Sequence, residues 1–166
     1  MIEVFTILGS DSDLPYGQKI QTVLKELKIS IRLVVASAHR TPNEMVQHLK
    51  KAEQDGAKVG IAVAGLAAHL PGVCASHTIL PVVAVPVATG PFSGQDALYS
   101  SVMMPPGIPV ATVTVGEAGA TNAALFAAAI IAVENKTVRE ALLAYREKMR
   151  QKIIEKNENL QKKLLG

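Results

Sequence analysis

Three short polar segments contain most of the residues in this sequence that could do chemistry. They are Gly9–Asp13 (GSDSD), Ser37–Pro42 (SAHRTP) and Gly65–Gly72 (GLAAHLPG). Small residues ahead of a helix present N–H groups and hydroxyls to an anion, and an arginine can clamp a phosphate through two hydrogen bonds. A histidine moves protons near neutral pH, and a carboxylate suits ribose hydroxyls better than phosphate. Together the segments predict a site for a phosphorylated sugar that carries a reactive ring.

Alternating strand-like and helix-like stretches must position these segments. The predicted strands are Val4–Leu8, Ile31–Val35, Val59–Ala64, Val82–Val87 and Val110–Val115. The predicted helices are Pro15–Leu27, Pro42–Gln54, Leu70–Thr78, Gln95–Met103 and Ala118–Val133. The strands are rich in β-branched residues with little polar alternation, as in sheets covered on both faces. Pro86 must lie near the end of its strand, and Thr41 followed by Pro42 is typical of a helix start. The pattern predicts one doubly wound parallel α/β domain, residues 1–166.

Each polar segment follows a predicted strand, and the carboxyl ends of parallel strands share one edge of the sheet. Each residue also has a structural alternative. Ser12 or Asp13 could cap the following helix, Arg40 could form a surface ion pair, and His39 or His69 could be an ordinary hydrogen-bonded histidine. Because three such segments occupy successive strand-to-helix connections, their joint occurrence favours a binding site.

Composition excludes several classes of protein. Of 166 residues, 49% are apolar and 19% are charged, which indicates a folded core and not a disordered chain. The single cysteine, Cys74, excludes a disulfide scaffold, fits a reducing compartment and is expected to be inert packing. There is no visible export signal, no apolar run long enough to span a bilayer, no P-loop and no metal-binding motif. We therefore expect a soluble cytoplasmic protein without a membrane or metal partner.

The basic charge is concentrated in the last segment, residues 136–166, which holds nine Lys/Arg against four Glu. The glutamates are interspersed among the cations and Tyr145 is the one aromatic residue, so we expect a solvated helix and no nucleic-acid partner. Its apolar residues recur at helical spacing, for example at Leu142, Met149 and Ile153, which predicts an amphipathic helix packed on a neighbouring subunit. Ala118–Val133 is apolar on every face. Both features favour a homo-oligomer over a well-covered monomer.

The polar segments also carry a family resemblance. GSDSD, SAHRTP, AGLAAHLPG and ALYSSVMMPPGIPVATVTVGEAGATNAAL resemble, in that order, the N5-carboxyaminoimidazole ribonucleotide mutases of de novo purine biosynthesis. The resemblance runs from about residue 4 to residue 133. It implies a three-layer α/β/α flavodoxin-like fold with an extra C-terminal helix. It also implies a homo-octamer with active sites at subunit contacts.

The resemblance implies a reaction that moves a carboxylate from N5 to C4 of the aminoimidazole ribonucleotide, without ATP, metal or another cofactor. It makes His39 the general acid and base and His69 the second active-site histidine. The substrate-binding residues it implies are Ser10, Ser12, Asp13, Ser37, Arg40, Gly65 and Leu70. The serines and Arg40 would hold the phosphate and Asp13 the ribose. Histidine suits both proton transfers, and the apolar loop Ala64–Leu70 would trap CO2.

The sequence departs from the family pattern at Leu66, where many members have glycine. A leucine there stiffens the loop and either narrows the CO2 pocket or requires a different backbone path. A related branch carboxylates aminoimidazole ribonucleotide directly with CO2 and carries lysine after the histidine, so Arg40 favours the mutase. A flavin-binding or phosphate-sensing module and an oligomeric scaffold are the alternatives from other classes. With no Trp, three Phe and three Tyr, the chain offers few aromatic rings for a flavin.

Overall fold

The computed structural model describes residues 2–165 and shows a five-stranded parallel sheet in the order β2-β1-β3-β4-β5. The strands are β1 (Val4–Leu8), β2 (Ile31–Val35), β3 (Val59–Gly65), β4 (Val82–Val87) and β5 (Ala111–Thr112). This order is that of flavodoxin-like doubly wound folds, in which the direction of strand progression reverses between β1 and β3. The predicted fold class is confirmed.

Six helices connect and follow the strands, together with a short 3₁₀ turn at Asp11–Asp13. They are α1 (Leu14–Glu26), α2 (Pro42–Gln54), α3 (Leu70–Ser76), α4 (Gln95–Val102), α5 (Glu117–Ile131) and α6 (Lys136–Leu165). One apolar core lies between the sheet and helices α1, α5 and α6. A second core lies between the other face of the sheet and helices α2, α3 and α4. Most residues of the strands are apolar because helices cover both faces of the sheet.

Strand β5 is shorter than the predicted Val110–Val115. The N–H of Val113 donates to the carbonyl of Ala84 (3.1 Å), and the N–H of Gly116 donates to the carbonyl of Pro86 (2.9 Å). The backbone polar groups of Ala84 and Pro86, both in β4, therefore point toward β5. Pro86 has no N–H to donate in return. One extra residue also intervenes on the β5 side between these two bonds. The regular ladder therefore ends at Thr112, although the chain continues beside β4.

Helix α5 approaches the segment after β5 very closely. A Cβ atom at Gly119 would overlap the carbonyl oxygen of Thr114 and would lie 2.9 Å from its carbonyl carbon. Small residues along the buried face of α5 allow this approach, and Gly119 is the position at which any side chain is excluded.

Apolar surface remains on the last two helices in the single chain. Val138 and Leu142 of α6 are buried against the body, whereas Met149 and Ile153, further along the helix, are exposed. Phe126 of α5 is also 45% exposed. No helix within residues 2–165 combines the length and the hydropathy that crossing a membrane requires.

Candidate active site

The three polar segments meet in one cavity of about 550 Å³ at the carboxyl ends of β1, β2 and β3. This is the edge at which doubly wound sheets bind ligands, beside the reversal of strand order. Every residue that the sequence predicted for the site lines this cavity. They are His39, His69, Ser10, Ser12, Asp13, Ser37, Arg40, Gly65 and Leu70.

The first segment folds into a capped turn. Ser10 caps the 3₁₀ turn, because its hydroxyl oxygen accepts from the N–H of Ser12 (3.3 Å) while its own N–H donates to the carboxylate of Asp13 (3.1 Å). The Ser12 hydroxyl also donates to the Ser10 hydroxyl oxygen (3.0 Å). Of the two residues proposed as caps of the following helix, Asp13 stands at the N-cap of α1 but makes no side-chain capping bond to it. The side-chain cap belongs to Ser10, on the turn before the helix. Capping and ligand binding are compatible here, since both serines still line the cavity.

Asp13 is a buried carboxyl at the cavity wall, 3% exposed. Burial raises the pKa of Asp13 above its ordinary value. The hydrogen bond from the Ser10 N–H lowers it by less, and the negative charge of Asp11 adds a smaller rise. A carboxylate with a buried, under-solvated charge gains from hydroxyl donors, which is the chemistry of a ribose-binding aspartate.

The second segment is held in a tight turn by its own hydroxyls. The Ser37 hydroxyl oxygen accepts from the N–H groups of His39 (3.3 Å) and Arg40 (3.2 Å). Thr41 stands at the N-cap of α2 as predicted, but its hydroxyl accepts from the N–H of Ser37 (2.9 Å) and makes no capping bond to the helix. The turn therefore fixes the direction in which His39 and Arg40 leave the sheet edge.

Arg40 has no acidic partner among residues 2–165, so the surface ion-pair alternative is wrong for this part of the chain. Its guanidinium makes only long contacts, to the carbonyl oxygen of Gly9 (3.4 Å) and the hydroxyl of Ser37 (3.5 Å). A guanidinium without a counter-charge beside several serine hydroxyls is suited to an oxyanion such as phosphate.

His39 and His69 contact each other within the cavity. Nε2 of His39 lies 2.5 Å from Nδ1 of His69, and the rings meet edge to face with centroids 4.7 Å apart. An N–H···N hydrogen bond needs one protonated and one unprotonated nitrogen, so the two rings cannot both present a proton to this contact. The pair can therefore share one proton between the two rings.

Leu66 adopts a backbone conformation that favours glycine. Its φ angle is 55°, in the left-handed region, where a side chain costs about 1–2 kcal/mol. A glycine at this position would adopt the same conformation without that cost. Its side chain lines the cavity and covers Gly90, where a Cβ atom would lie 2.6 Å from Leu66 Cδ2.

Thr89 also lines the cavity and was not predicted. It follows β4, whose carboxyl end lies at the same edge as the other three. Its position at the carboxyl end of a parallel strand is the signal that could have identified it. Its segment (Ala88–Gly94) has no charged residue and no histidine, so composition does not distinguish it as a site.

The lone thiol takes no part in the site. Cys74 is buried in α3, with its sulfur 3.7 Å from that of Met45, and burial raises its pKa to about 12. It stays a neutral thiol, as expected for a packing residue. Within residues 2–165, no three His, Cys, Asp or Glu side chains are grouped so that they could hold a metal ion.

The chain is similar to known proteins of one family. A family model described as AIR carboxylase matches residues 3–152. The chain belongs to the AIR carboxylase family. A relative from Thermotoga maritima, named N5-carboxyaminoimidazole ribonucleotide mutase, is 44% identical over 97% of this chain and 93% of its own length. A relative of the same name from Methanocaldococcus jannaschii is 48% identical over 93% and 94% of the two chains.

A crystal structure of a similar protein supports the fold of this chain. The crystal structure of Treponema denticola PurE superposes with a TM-score of 0.87 and 34% sequence identity. The match covers 96% of this chain and 99% of that one.

Proposed function

We propose that this chain is an enzyme of de novo purine biosynthesis that converts N5-carboxyaminoimidazole ribonucleotide into 4-carboxyaminoimidazole ribonucleotide. The relatives that carry the mutase name match nearly the whole chain. The observation that carries the proposal is the cavity itself, in which the His39–His69 pair and the guanidinium of Arg40, which has no acidic partner within residues 2–165, face one space. An acid–base group and a phosphate clamp are what a carboxylate transfer on a ribonucleotide requires.

The substrate lies across the sheet edge in this proposal. Ser10, Ser12, Ser37 and Arg40 bind the phosphate at the β1–β2 end, where the guanidinium provides a charge-assisted contact. Asp13 accepts hydrogen bonds from the ribose hydroxyls. The heterocycle then points toward the loop that follows β3.

Proton transfer by His39 accounts for both halves of the reaction. His39 in its protonated form donates to N5 as the N5–carboxylate bond breaks and CO2 leaves with the bonding electrons remaining on nitrogen. The electron-rich C4 then attacks the trapped CO2 and forms the new carbon–carbon bond. The neutral imidazole removes the proton from C4, which restores the aromatic ring and the starting form of His39. His69 holds the reactive ring through their shared hydrogen bond.

The loop after β3 supports the trapping of CO2. Ala64, Leu66, Ala67 and Ala68 line this part of the cavity without polar side chains. Few polar side chains there compete to hold water near the heterocycle, so released CO2 would meet C4 before it hydrates. Gly65 and Leu70 complete the contact surface for the heterocycle.

We propose further that residues 1–166 form one domain that assembles into a homo-octamer in the cytoplasm, with residues 136–166 packed on a neighbouring subunit. The exposed apolar side chains of Phe126, Met149 and Ile153 support assembly. The unpaired thiol of Cys74 supports a reducing compartment.

The decisive experiment supplies the N5-carboxylated ribonucleotide with a ¹³C-labelled carboxylate and excess unlabelled bicarbonate. Retention of the label in the product supports the mutase. If the protein instead forms product only from aminoimidazole ribonucleotide and bicarbonate, it is a direct carboxylase. Formation of no product from either ribonucleotide refutes both activities.

A further inference from the structure

At the end of the cavity proposed for the heterocycle, one polar side chain among residues 2–165, that of Thr89, has no hydrogen-bond partner. Among the described residues that line this end, after β3 and β4, only His69 and Thr89 carry polar side chains. His69 is engaged by His39. Within residues 2–165 the Thr89 hydroxyl makes no hydrogen bond, and the residue is exposed to the cavity.

The Thr89 hydroxyl occupies the space that a side chain at Gly65 would fill. A Cβ atom at Gly65 would overlap Thr89 Oγ1 and would lie 3.1 Å from the carbonyl oxygen of Val87. The hydroxyl thus lies directly against the Gly65 backbone, on the wall that the loop after β3 shares with the loop after β4. A polar group is therefore placed in a wall otherwise formed by alanine and leucine side chains.

The order of the strands decides which part of a ligand this hydroxyl meets. Arg40 follows β2, whereas Thr89 follows β4, and β1 and β3 lie between those strands. Neighbouring strands are spaced by about 4.8 Å, so the two side chains stand at opposite ends of the cavity. A ribonucleotide whose phosphate binds Arg40 extends its heterocycle toward Thr89.

We infer that the Thr89 hydroxyl donates a hydrogen bond to the carboxylate carried by the heterocycle and thereby selects carboxylated over uncarboxylated ribonucleotide. This inference rests on the proposed function. The carboxylate is the one charged group at this end of the substrate, and placing it among Ala64, Leu66 and Ala67 without a donor would be costly. A hydroxyl supplies that donor while leaving the histidine pair free for proton transfer.

The test compares Thr89→Val, which keeps the shape and removes the hydroxyl, with Thr89→Ser, which keeps the hydroxyl. Calorimetry would measure the dissociation constants of 4-carboxyaminoimidazole ribonucleotide and of aminoimidazole ribonucleotide for each protein. We expect Thr89→Val to weaken binding of the carboxylated compound roughly ten- to a hundredfold, the usual effect of losing a hydrogen bond to a charged group. Binding of the uncarboxylated compound should stay unchanged, and Thr89→Ser should behave as the wild type.

The outcomes separate this inference from the proposed function. If wild-type protein converts the N5-carboxylated ribonucleotide but Thr89→Val keeps the wild-type preference between the two compounds, the role of Thr89 is refuted and the proposed function stands. Equal weakening of both compounds would also refute it, because the hydroxyl would then not distinguish the carboxylate. If the wild type converts nothing, the proposed function fails, and the inference fails with it.

Discussion

Replacing Arg40 with alanine is expected to weaken substrate binding without destabilising the protein. In the free protein the guanidinium has no acidic partner within residues 2–165, and its two contacts, to Gly9 and Ser37, lie at the long limit for hydrogen bonds. Removing an exposed side chain with so few interactions usually changes the free energy of unfolding by less than about 0.5 kcal/mol. The loss should therefore be seen almost entirely in the complex with substrate.

The size of the effect follows from the contact that is lost. A hydrogen bond between charged groups contributes about 1.5–3 kcal/mol, and a factor of ten in affinity corresponds to about 1.4 kcal/mol. Arg40→Ala should therefore raise KM by about 10- to 150-fold. The phosphate does not react, so the interaction is the same in the ground state and the transition state, and kcat should change little.

Steady-state kinetics at several ionic strengths would measure this effect, with inorganic phosphate as a competitive inhibitor. Arg40→Lys is the matched control: it keeps the charge and loses the planar fork, so its KM should lie between those of the wild type and Arg40→Ala. An unchanged KM in Arg40→Ala would refute the phosphate assignment. A fall in kcat at constant KM would place Arg40 at the reacting atoms instead.

Three further predictions concern stability and assembly. Folding raises the pKa of Asp13 from its ordinary 3.8. The contribution of this group to the free energy of unfolding therefore falls as the pH rises above 3.8. Asp13→Asn should remove that fall and raise the free energy of unfolding at pH 7 in denaturant titrations, and an unchanged value would contradict the assigned burial cost. Gly119→Ala should lower stability by about 1–3 kcal/mol because the methyl group overlaps the Thr114 carbonyl; a higher melting temperature would contradict it. Ile153→Glu should reduce the particle mass in light scattering, whereas Lys162→Glu, on the opposite face of α6, should not; equal masses would exclude this face as an interface.

The sheet and the helices could be predicted closely where burial alone determines them. The bounds of β1 and α2 agree with the prediction residue for residue, because an uninterrupted apolar run and a Thr-Pro helix start are unambiguous. The end of β5 could not be predicted from its own residues. It depends on Pro86 of the neighbouring strand, whose missing N–H faces β5, and strand order must be known before that effect can be seen.

The site could be predicted as a set of residues but not as a geometry. The rule that ligands bind at the carboxyl ends of parallel strands placed His39 and His69 in one region. Their direct contact, across 30 residues of sequence, depends on the turn that Ser37 and Thr41 hold with their hydroxyls. Thr89 could not be predicted from residue types, because its segment lacks the charged residues and histidines of the three polar segments. The left-handed backbone at Leu66 could be inferred only from the glycine expected there.

The central claim is that the imidazole of His39 carries the proton between N5 and C4. His39→Asn tests it most directly, with turnover and the dissociation constant of 4-carboxyaminoimidazole ribonucleotide measured on the same preparation. Loss of a general acid and base reduces rates by about 10²- to 10⁴-fold, so turnover should fall by that factor while the ribonucleotide still binds through Arg40 and the serines. Turnover at the wild-type rate in His39→Asn would contradict the claim.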